Sequence, residues 1–349
     1  MSLVEGKTLE EKPKSRVESY LKALCGKSLG GGSGDSSGGG SDNAITDFSY
    51  FCYEDSRLDM LEHLDTTAGV KFKKMFGGLK SDLTIPKINT SNGVDFSYMF
   101  DGSIKLTSIP ELNTSNGSIF RSMFSMCQAI TSIPKIDTSK AETLVDMFSN
   151  CIKLTSVPEL NTSNCTDFTR MFNGCSALTS VPELDTSKGG LNGFSYMFNG
   201  CSALTSVPEL DTSNNGNFTS MFGNCKNLKS IRKIDMRKAY NANVMFQNCS
   251  SLTDLYLYNI KLGMTIGSGT SYGHLLTVDS LVHIICELIH CGSARTLSMG
   301  ATNLEKIANL YCRIIDDTTE KLDMELCEST DEGAMTLVEY AALKKWTLA

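Results

Sequence analysis

Apolar positions recur along the middle of this chain with a fixed period. A Met-Phe pair begins at Met75, Met99, Met123, Met147, Met171, Met197, Met221 and Met245, every 24 residues except for one step of 26 after Met171. The clearest copy, FTRMFNGCSALTSVPELDTS, runs from Phe168 to Ser187. Phe168, Met171, Phe172, Cys175 and Leu178 fall at i, i+3, i+4, i+7 and i+10, a spacing that predicts a helical turn or two with one buried face. Val181 and Leu184 carry the apolar signal into a short extended segment. Pro182 cannot donate to a sheet ladder, so the predicted strand ends near it. Asp185-Thr186-Ser187 supplies turn and helix-capping side chains before the next unit. A unit of this size buries its apolar face only against its neighbours, so the period predicts an α/β solenoid.

Helices packed ~8–10 Å apart and strands paired ~4.8 Å apart bend such a body, with short parallel strands on the concave side. Eight rungs give a sheet on the order of 40 Å long. The segment MFNGCSALTSVPELDTS is identical at 171–187 and 197–213. Both edges depart from the pattern, as terminal rungs do. Phe51 and Leu58 take the Met and Leu positions of a degraded first rung with Asp55 in place of cysteine. At the far edge Arg232 replaces the proline and Met236-Arg237 replaces Thr-Ser.

Four segments follow from these patterns. Residues 1–25 hold an amphipathic helix whose stripe is Val17, Tyr20, Leu21, Leu24 and Cys25, with Pro13 in its first turn. Residues 26–42 are a Gly/Ser linker with a reach of roughly 20–25 Å. The solenoid occupies 43–254, and 255–349 reads as an α/β C-terminal cap. In the cap, Thr277 caps a helix running to His290, Arg295–Met299 is a strand, and Thr302–Ile315 is a second helix. Met335–Lys345 is a third helix and Trp346–Leu348 a last strand. The helix stripe at Val17, Tyr20, Leu21 and Leu24 reads as an anchor for a separate protein or a second copy; the alternative is folding back to cover the first rung.

Composition narrows the function. The net charge of -7 leaves no electrostatic footprint for nucleic acid. No apolar run approaches the ~18 residues of a membrane span, so no membrane insertion is expected. The N-terminal stretch MSLVEGKTLEEKPKSRVE lacks the apolar core of a secretory signal. No phosphate-binding glycine loop, nucleophile elbow or zinc-protease motif occurs, and neither catalytic residues nor a cofactor are expected.

Four groups of residues could carry chemistry. Cys127, Cys151, Cys175, Cys201, Cys225 and Cys249 form a ladder that reads as inward packing in preference to metal or disulfide chemistry. Asp65, Asn89, Asn113, Asp137, Asn161, Asp185, Asp211 and Asp235 start each turn, and turn hydrogen bonding explains them better than calcium. Lys87, Glu111, Lys135, Glu159, Glu183, Glu209 and Lys233 follow each proline position and form an exposed line, the candidate binding residues. Glu159, Glu183 and Glu209 stack in succession, and a cationic contact would relieve their repulsion. His283, Cys286, Glu287, His290 and Cys291 have a spacing compatible with zinc but match no established ligand pattern, so no metal is assigned.

The unit LTSVPELDTSN…F..MF..C..L resembles the BspA-like leucine-rich repeats of bacterial surface proteins, over Asp65 to Asp254. That resemblance implies a right-handed leucine-rich-repeat-like solenoid serving adhesion or recognition, with no catalytic residues. The ends, KTLEEKPKSRVESYLKALCG and LTVDSLVHII…ARTLSMGATNLEKIA…ALKKWTLA, resemble segments of phage and prophage proteins of gut Firmicutes, where such a helix attaches a variable module to the tail. The expected protein is therefore a non-enzymatic recognition module, either tail-associated in a virion or an extracellular bacterial adhesin. The expected partner is a protein or glycan receptor on a cell surface, with another virion or surface protein held through the N-terminal helix.

Overall fold

The computed structural model describes residues 45–54, 58, 61, 64–265, 276–286, 295–298, 301–316, 323–327, 331, 334–344 and 346–348. The expected anchor residues Val17, Tyr20, Leu21 and Leu24, and the linker, lie outside these.

Successive 24-residue coils lie directly against one another. Parallel bridges step along one corner from Asp47 to Lys71, Asp95, Ile119, Thr143 and Asp167. Two columns of phenylalanine run through the interior. Phe76, Phe100, Phe124, Phe148, Phe172, Phe198, Phe222 and Phe246 stack with ring centroids 5.4–6.0 Å apart. Phe48, Phe72, Phe96 and Phe120 stack at 5.7 Å. The Met of each pair, the Cys and the following Leu are all fully buried beside them.

The Phe-Met-Phe-Cys segment is not a helix. Alternate backbone amides leave the coil: Phe96, Tyr98, Phe100 and Gly102 donate to Ile119, Arg121, Met123 and Ser125 in the next coil, at 2.8–2.9 Å. The amides between them, of Met99, Asp101 and Ser103, close turns on the carbonyls three residues back. Residues at two positions per coil make this possible by taking positive φ, such as Tyr98 at 60° and Gly102 at 74°. An α-helix would satisfy the same amides internally and hold neighbours ~8–10 Å apart. The coils instead bond backbone to backbone, which demands the ~4.8 Å spacing of paired chains. The spacing mismatch that would bend the body therefore has no helical side to arise from.

The opposite, proline-bearing side is extended but forms few strands. Thr155, Thr179, Lys229 and Thr253 each donate one amide bond to the preceding coil. Proline then removes the next ladder donor. The one regular pair here is β1 (Ser230–Asp235) with β2 (Asp254–Tyr258), parallel, in the place where Arg232 stands for proline. Their register steps across an irregularity between Ile231 and Ile234.

The end of this stack is covered by α1 (Val278–Cys286). Thr277 N donates to Thr253 O, continuing the 24-residue step, and the Ser280 hydroxyl accepts from the amide of Leu255 in β2. Thr277 accepts from Ser280 N as the expected helix cap. Leu281, Ile284 and Ile285 are buried beneath the helix. A helix lying on an edge strand occupies amides that would otherwise template further pairing.

Beyond it, β3 (Met264–Thr265), β4 (Arg295–Ser298) and β8 (Trp346–Leu348) form a parallel sheet in the order β3-β4-β8. A second sheet has the order β6-β5-β7, with β5 Tyr311–Asp316, β6 Asp323–Cys327 and β7 Met335–Thr336. The helix expected over Thr302–Ile315 is split: α2 spans Ala301–Ile307, and the β-favouring run Tyr311-Cys312-Arg313-Ile314-Ile315 becomes β5. The last helix, α3 (Leu337–Leu343), begins with a capping box in which Thr336 and Glu339 satisfy each other's amides. No helix among the described residues is long and apolar enough to cross a membrane.

Candidate interaction surfaces

The polar ladders are mostly scaffolding. Each Asx of the series from Asp65 to Asp235 accepts from the amide two residues on, as Asp137 does from Ser139 at 2.9 Å. Those bonds hold the Asp137 carboxyl below its ordinary range, the backbone amide of Ser139 contributing most. Next to it, a buried threonine bridges the coils. Thr114 Oγ1 donates to Asp137 O at 3.0 Å and accepts from Asp137 N at 2.8 Å. Thr138, Thr162, Thr186 and Thr212 donate in the same way.

The cysteine ladder packs inward, unlinked. Each thiol donates to the carbonyl of a phenylalanine in the preceding coil: Cys151 to Phe124 at 3.0 Å, Cys175 to Phe148 at 3.0 Å, Cys249 to Phe222 at 2.9 Å. Ser103 does the same to Phe76 where the pattern lacks cysteine. Burial pushes the thiols of Cys151 and Cys249 up to about 12, far from the thiolate needed for metal or redox chemistry. Of the zinc candidates, His283 packs against the rings of Tyr256 and Tyr258, while Glu287, His290 and Cys291 lie outside the described residues. Among the described residues no cluster of metal-ligating side chains forms.

All seven residues of the Lys/Glu line are exposed on the extended side: Lys87, Glu111, Lys135, Glu159, Glu183, Glu209 and Lys233. Lys233 pairs with Glu209 at 3.2 Å, so part of the cationic relief comes from the chain itself. Two open recesses lie along this line. One of about 520 Å³ is bordered by Glu209, Asp211, Lys233, Asp235 and Arg237; the other, of about 430 Å³, by Lys87, Asn89, Glu111 and Asn113. The structure brings Glu209 and Lys233 together in one recess and Lys87 and Glu111 in the other. It leaves Lys135, Glu159 and Glu183 outside both.

The sequence reading missed a second surface, on the turn side. The residue before each Met, or before Phe51 in the first coil, has positive φ: Tyr50, Lys74, Tyr98, Ser122, Asp146, Arg170, Tyr196, Ser220 and Val244. The second positive-φ position, four residues on and before the Cys position of the pattern, reads Glu54, Gly78, Gly102, Met126, Asn150, Gly174, Gly200, Asn224 and Asn248. The second column holds mainly glycine and asparagine, which this left-handed conformation favours. The first holds none of either. Its tyrosines, Lys74, Asp146 and Arg170 are half-buried or exposed, while Ser122 and Ser220 are buried. Lys74 Nζ lies 5.0 Å from the Tyr53 ring and 5.9 Å from that of Tyr98. Arg121 Nε donates to the Tyr98 hydroxyl at 3.2 Å, and Arg170 lies 5.2 Å from the Tyr196 ring. Burial raises the Asp146 carboxyl from its ordinary value against the opposing pull of Arg170 and Arg121. Burial likewise raises Asp101, against its bond to Ser125 and the charge of Lys74.

A signal for this row existed in the sequence. The two copies identical over 171–187 and 197–213 differ at the residue just before them, Arg170 in one and Tyr196 in the other.

No curated protein and no solved structure matches the chain. Residues 46–157, 70–182 and 146–259 each match one family, described as Mycoplasma protein of unknown function, DUF285. Together these segments cover the coil stack and more than half of the 349 residues, and the chain belongs to that family.

Proposed function

We propose that this is a non-enzymatic recognition protein, a leucine-rich-repeat-like solenoid that binds a cell-surface receptor along its stacked coils. One observation carries the reading. Nine consecutive coils place side chains other than glycine or asparagine in a left-handed backbone conformation, at one column in which Tyr50 and Arg170 are exposed, Ser122 and Ser220 are buried and the others are half-buried. Such residues cost roughly 1–2 kcal/mol each relative to glycine. The neighbouring column shows that this backbone accommodates glycine and asparagine. A fold optimised only for stability would use them in both. Strain kept at a surface is a mark of a functional site.

The setting we propose is a virion tail or a bacterial surface, with residues 1–25 as the attachment and 26–42 as the tether. Support for this comes from the resemblance of the sequence ends and from the apolar stripe Val17, Tyr20, Leu21 and Leu24. The test is binding of fluorescently labelled full-length protein to a panel of intact bacterial and host cells. Saturable binding that survives deletion of residues 1–42 supports the reading. Absence of saturable binding across the panel sinks it. Deletion of 1–42 is expected to leave the melting temperature of the coils nearly unchanged; a large drop would make that segment a cap and remove the anchor.

A further inference from the structure

We infer that the corner formed by Leu191, Asn192, Gly216, Asn217, Tyr240 and Asn241 binds a neutral sugar chain, with one pyranose ring stacked on Tyr240. The inference rests on the recognition reading above and gives it a site and a ligand class.

This is the corner along which the parallel bridges step from coil to coil. In the earlier coils it carries charge: Asp47 and Lys71, paired at 3.6 Å, then Asp95, Glu142 and Asp167. In the last three coils it is neutral, reading Leu191-Asn192, Gly216-Asn217 and Tyr240-Asn241. The change coincides with the single 26-residue step, whose two extra residues lie between Ser187 and Phe194. The loop they make enters the stack through the Leu191 carbonyl, which accepts from the amides of Gly216 and Asn217 at 2.9 and 2.8 Å.

Tyr240 supplies a fixed platform there. Its amide donates to Gly216 O at 2.8 Å, and its hydroxyl donates to Asn192 Oδ1, two coils away. Between these ends the ring lies against Gly216, where an added Cβ would come 2.5 and 2.6 Å from two ring carbons. Glycine is thus required at 216 for space. The tyrosine is covered on that side and still 57 % exposed, and Leu191 beside it is 54 % exposed. A ring held at both ends loses little freedom when a ligand lies on it. Its face carries the negative part of the aromatic quadrupole, which attracts C–H groups.

The polar groups of the corner are amides. Asn217 Oδ1 accepts from Thr219 N at 3.1 Å and Asn241 Oδ1 from Asn243 N at 3.0 Å, which fixes both side chains. The NH2 groups of Asn192, Asn217 and Asn241 have no partner among the described residues. Asn215 Nδ2 donates to Asn217 O at 3.2 Å, while its own Oδ1 is buried without a partner. Gly93, Gly117, Ala141 and Cys165 hold the same place in other coils, so packing does not ask for an amide there. A buried unsatisfied group costs stability, and this coil keeps one beneath the ring. The neighbouring Lys238 is taken up by Asn214 Oδ1 at 2.7 Å.

These features select the ligand. A pyranose presents a face of C–H groups and a rim of hydroxyls, which matches an aromatic face bordered by amide donors. A nucleotide or an acidic sugar would bring a charge to a corner lined by no cation. A protein partner needs ~800 Å² on each side, whereas the apolar part of the corner is two side chains.

The experiment is affinity electrophoresis of the full-length protein through gels containing hydroxyethyl cellulose, β-1,4-galactan, glucomannan or glycol chitin. Polygalacturonate and polyadenylate gels serve as the charged-sugar and stacked-base comparisons. Retardation by at least one neutral polymer, exceeding that by either comparison polymer, is expected. Tyr240→Ala should lose about tenfold or more in affinity. Tyr240→Phe keeps the ring but not its bond to Asn192 and should lose about fivefold. Gly216→Ala puts a methyl where the ring lies and should weaken binding with Tyr240 intact. Glu183→Gln, on the extended side, should bind as the wild type does. If Gly216→Ala does not fold by circular dichroism, the two Tyr240 variants decide. The inference is overturned by no retardation in any neutral polymer, by equal or stronger retardation in polygalacturonate or polyadenylate, or by unchanged binding of Tyr240→Ala. Cell binding separates the two readings. Cells bound equally by wild type and Tyr240→Ala leave recognition standing and remove this site. Retardation by a neutral polymer without binding to any cell keeps this site and removes the cell-surface receptor.

Discussion

Each coil has two unlike sides. On the turn side, four amides per coil reach the next coil, as in Phe96 to Gly102, and rings, sulfur and methionine fill the space beneath. On the extended side a coil such as Thr155–Leu160 gives one amide bond before its proline, and a buried threonine hydroxyl then replaces part of the missing ladder. Order is thus distributed along the backbone on one side and concentrated in a few side chains on the other. The break follows from proline: where Arg232 occupies that position, β1 and β2 pair. The stronger side can hold costly residues on its surface, because its bonds do not depend on which side chain stands there.

The largest effect expected from a single change is on the turn side. Phe148 stacks between Phe124 and Phe172 at 5.6 Å on each side and is fully buried. Phe148→Ala should cost about 3–5 kcal/mol in urea unfolding. Glu159→Ala, exposed on the extended side of the same coil, should stay within about 0.5 kcal/mol. Equal losses would dissolve the distinction between the sides.

Next in size is the response of the thiols to alkali. An ordinary thiol has a value of 9.0 and burial pushes Cys151, Cys165 and Cys249 up to about 12. Between these values the unfolded chain has lost protons that the folded chain still holds. Stability is therefore complete below about pH 9 and falls as pH rises towards 12. One pH unit corresponds to 1.36 kcal/mol, so each thiol should cost roughly 2.5 kcal/mol by about pH 11. Unfolding at pH 8 and pH 11, for wild type and Cys151→Ala, reads this directly: the variant's loss should be smaller by one thiol's share. Identical losses would mean the thiol proton is not held by the fold.

On the extended side the weak point is threonine. Thr114→Val keeps the shape but removes the group that serves both the amide and the carbonyl of Asp137. A buried group left without a partner costs about 1–3 kcal/mol. Thr114→Ser should recover most of that. A neutral Thr114→Val would mean that water replaces the hydroxyl there.

How legible these sides are differs for a physical reason. The period and the identity of the buried positions can be read from Met99, Phe100, Cys127 and their repeats, because burial follows apolar spacing whatever the backbone does. The helix predicted from that spacing does not form, because turns with alternating positive φ place the same residues inward. Positive φ is normally signalled by glycine or asparagine. Gly174 and Gly200 carry that signal before cysteine and Gly102 before serine, while Tyr98, Arg170 and Tyr196 hide it before methionine. The exposed Lys/Glu line was readable from its place after proline, whereas the turn-side row shows in the sequence only as the Arg170/Tyr196 difference before two identical segments. In the C-terminal region, Tyr311–Asp316 escaped because its apolar residues also continue a helical stripe, and only pairing with β6 and β7 decides for a strand.

The smallest expected effect bears on why the two positive-φ columns differ. Val244 has φ of 49°, and a β-branched side chain in that region is a clear outlier. Asn248, four residues on, has φ of 60° and a residue type that tolerates it. Its side-chain amide also donates to Asn224 Oδ1 at 2.7 Å. Val244→Asn should therefore relieve strain and raise stability by about 0.5–1 kcal/mol, the loss of partly buried apolar surface offsetting some of the gain. Asn248→Val should lower it by about 1–2 kcal/mol. Chemical unfolding of the two variants beside the wild type gives both signs. Opposite signs would show that the Met-side column holds residues the backbone does not favour, which is the premise of the recognition reading. If Val244→Asn also destabilises, the side chains of that column are there for packing, and the recognition reading loses the observation that carries it.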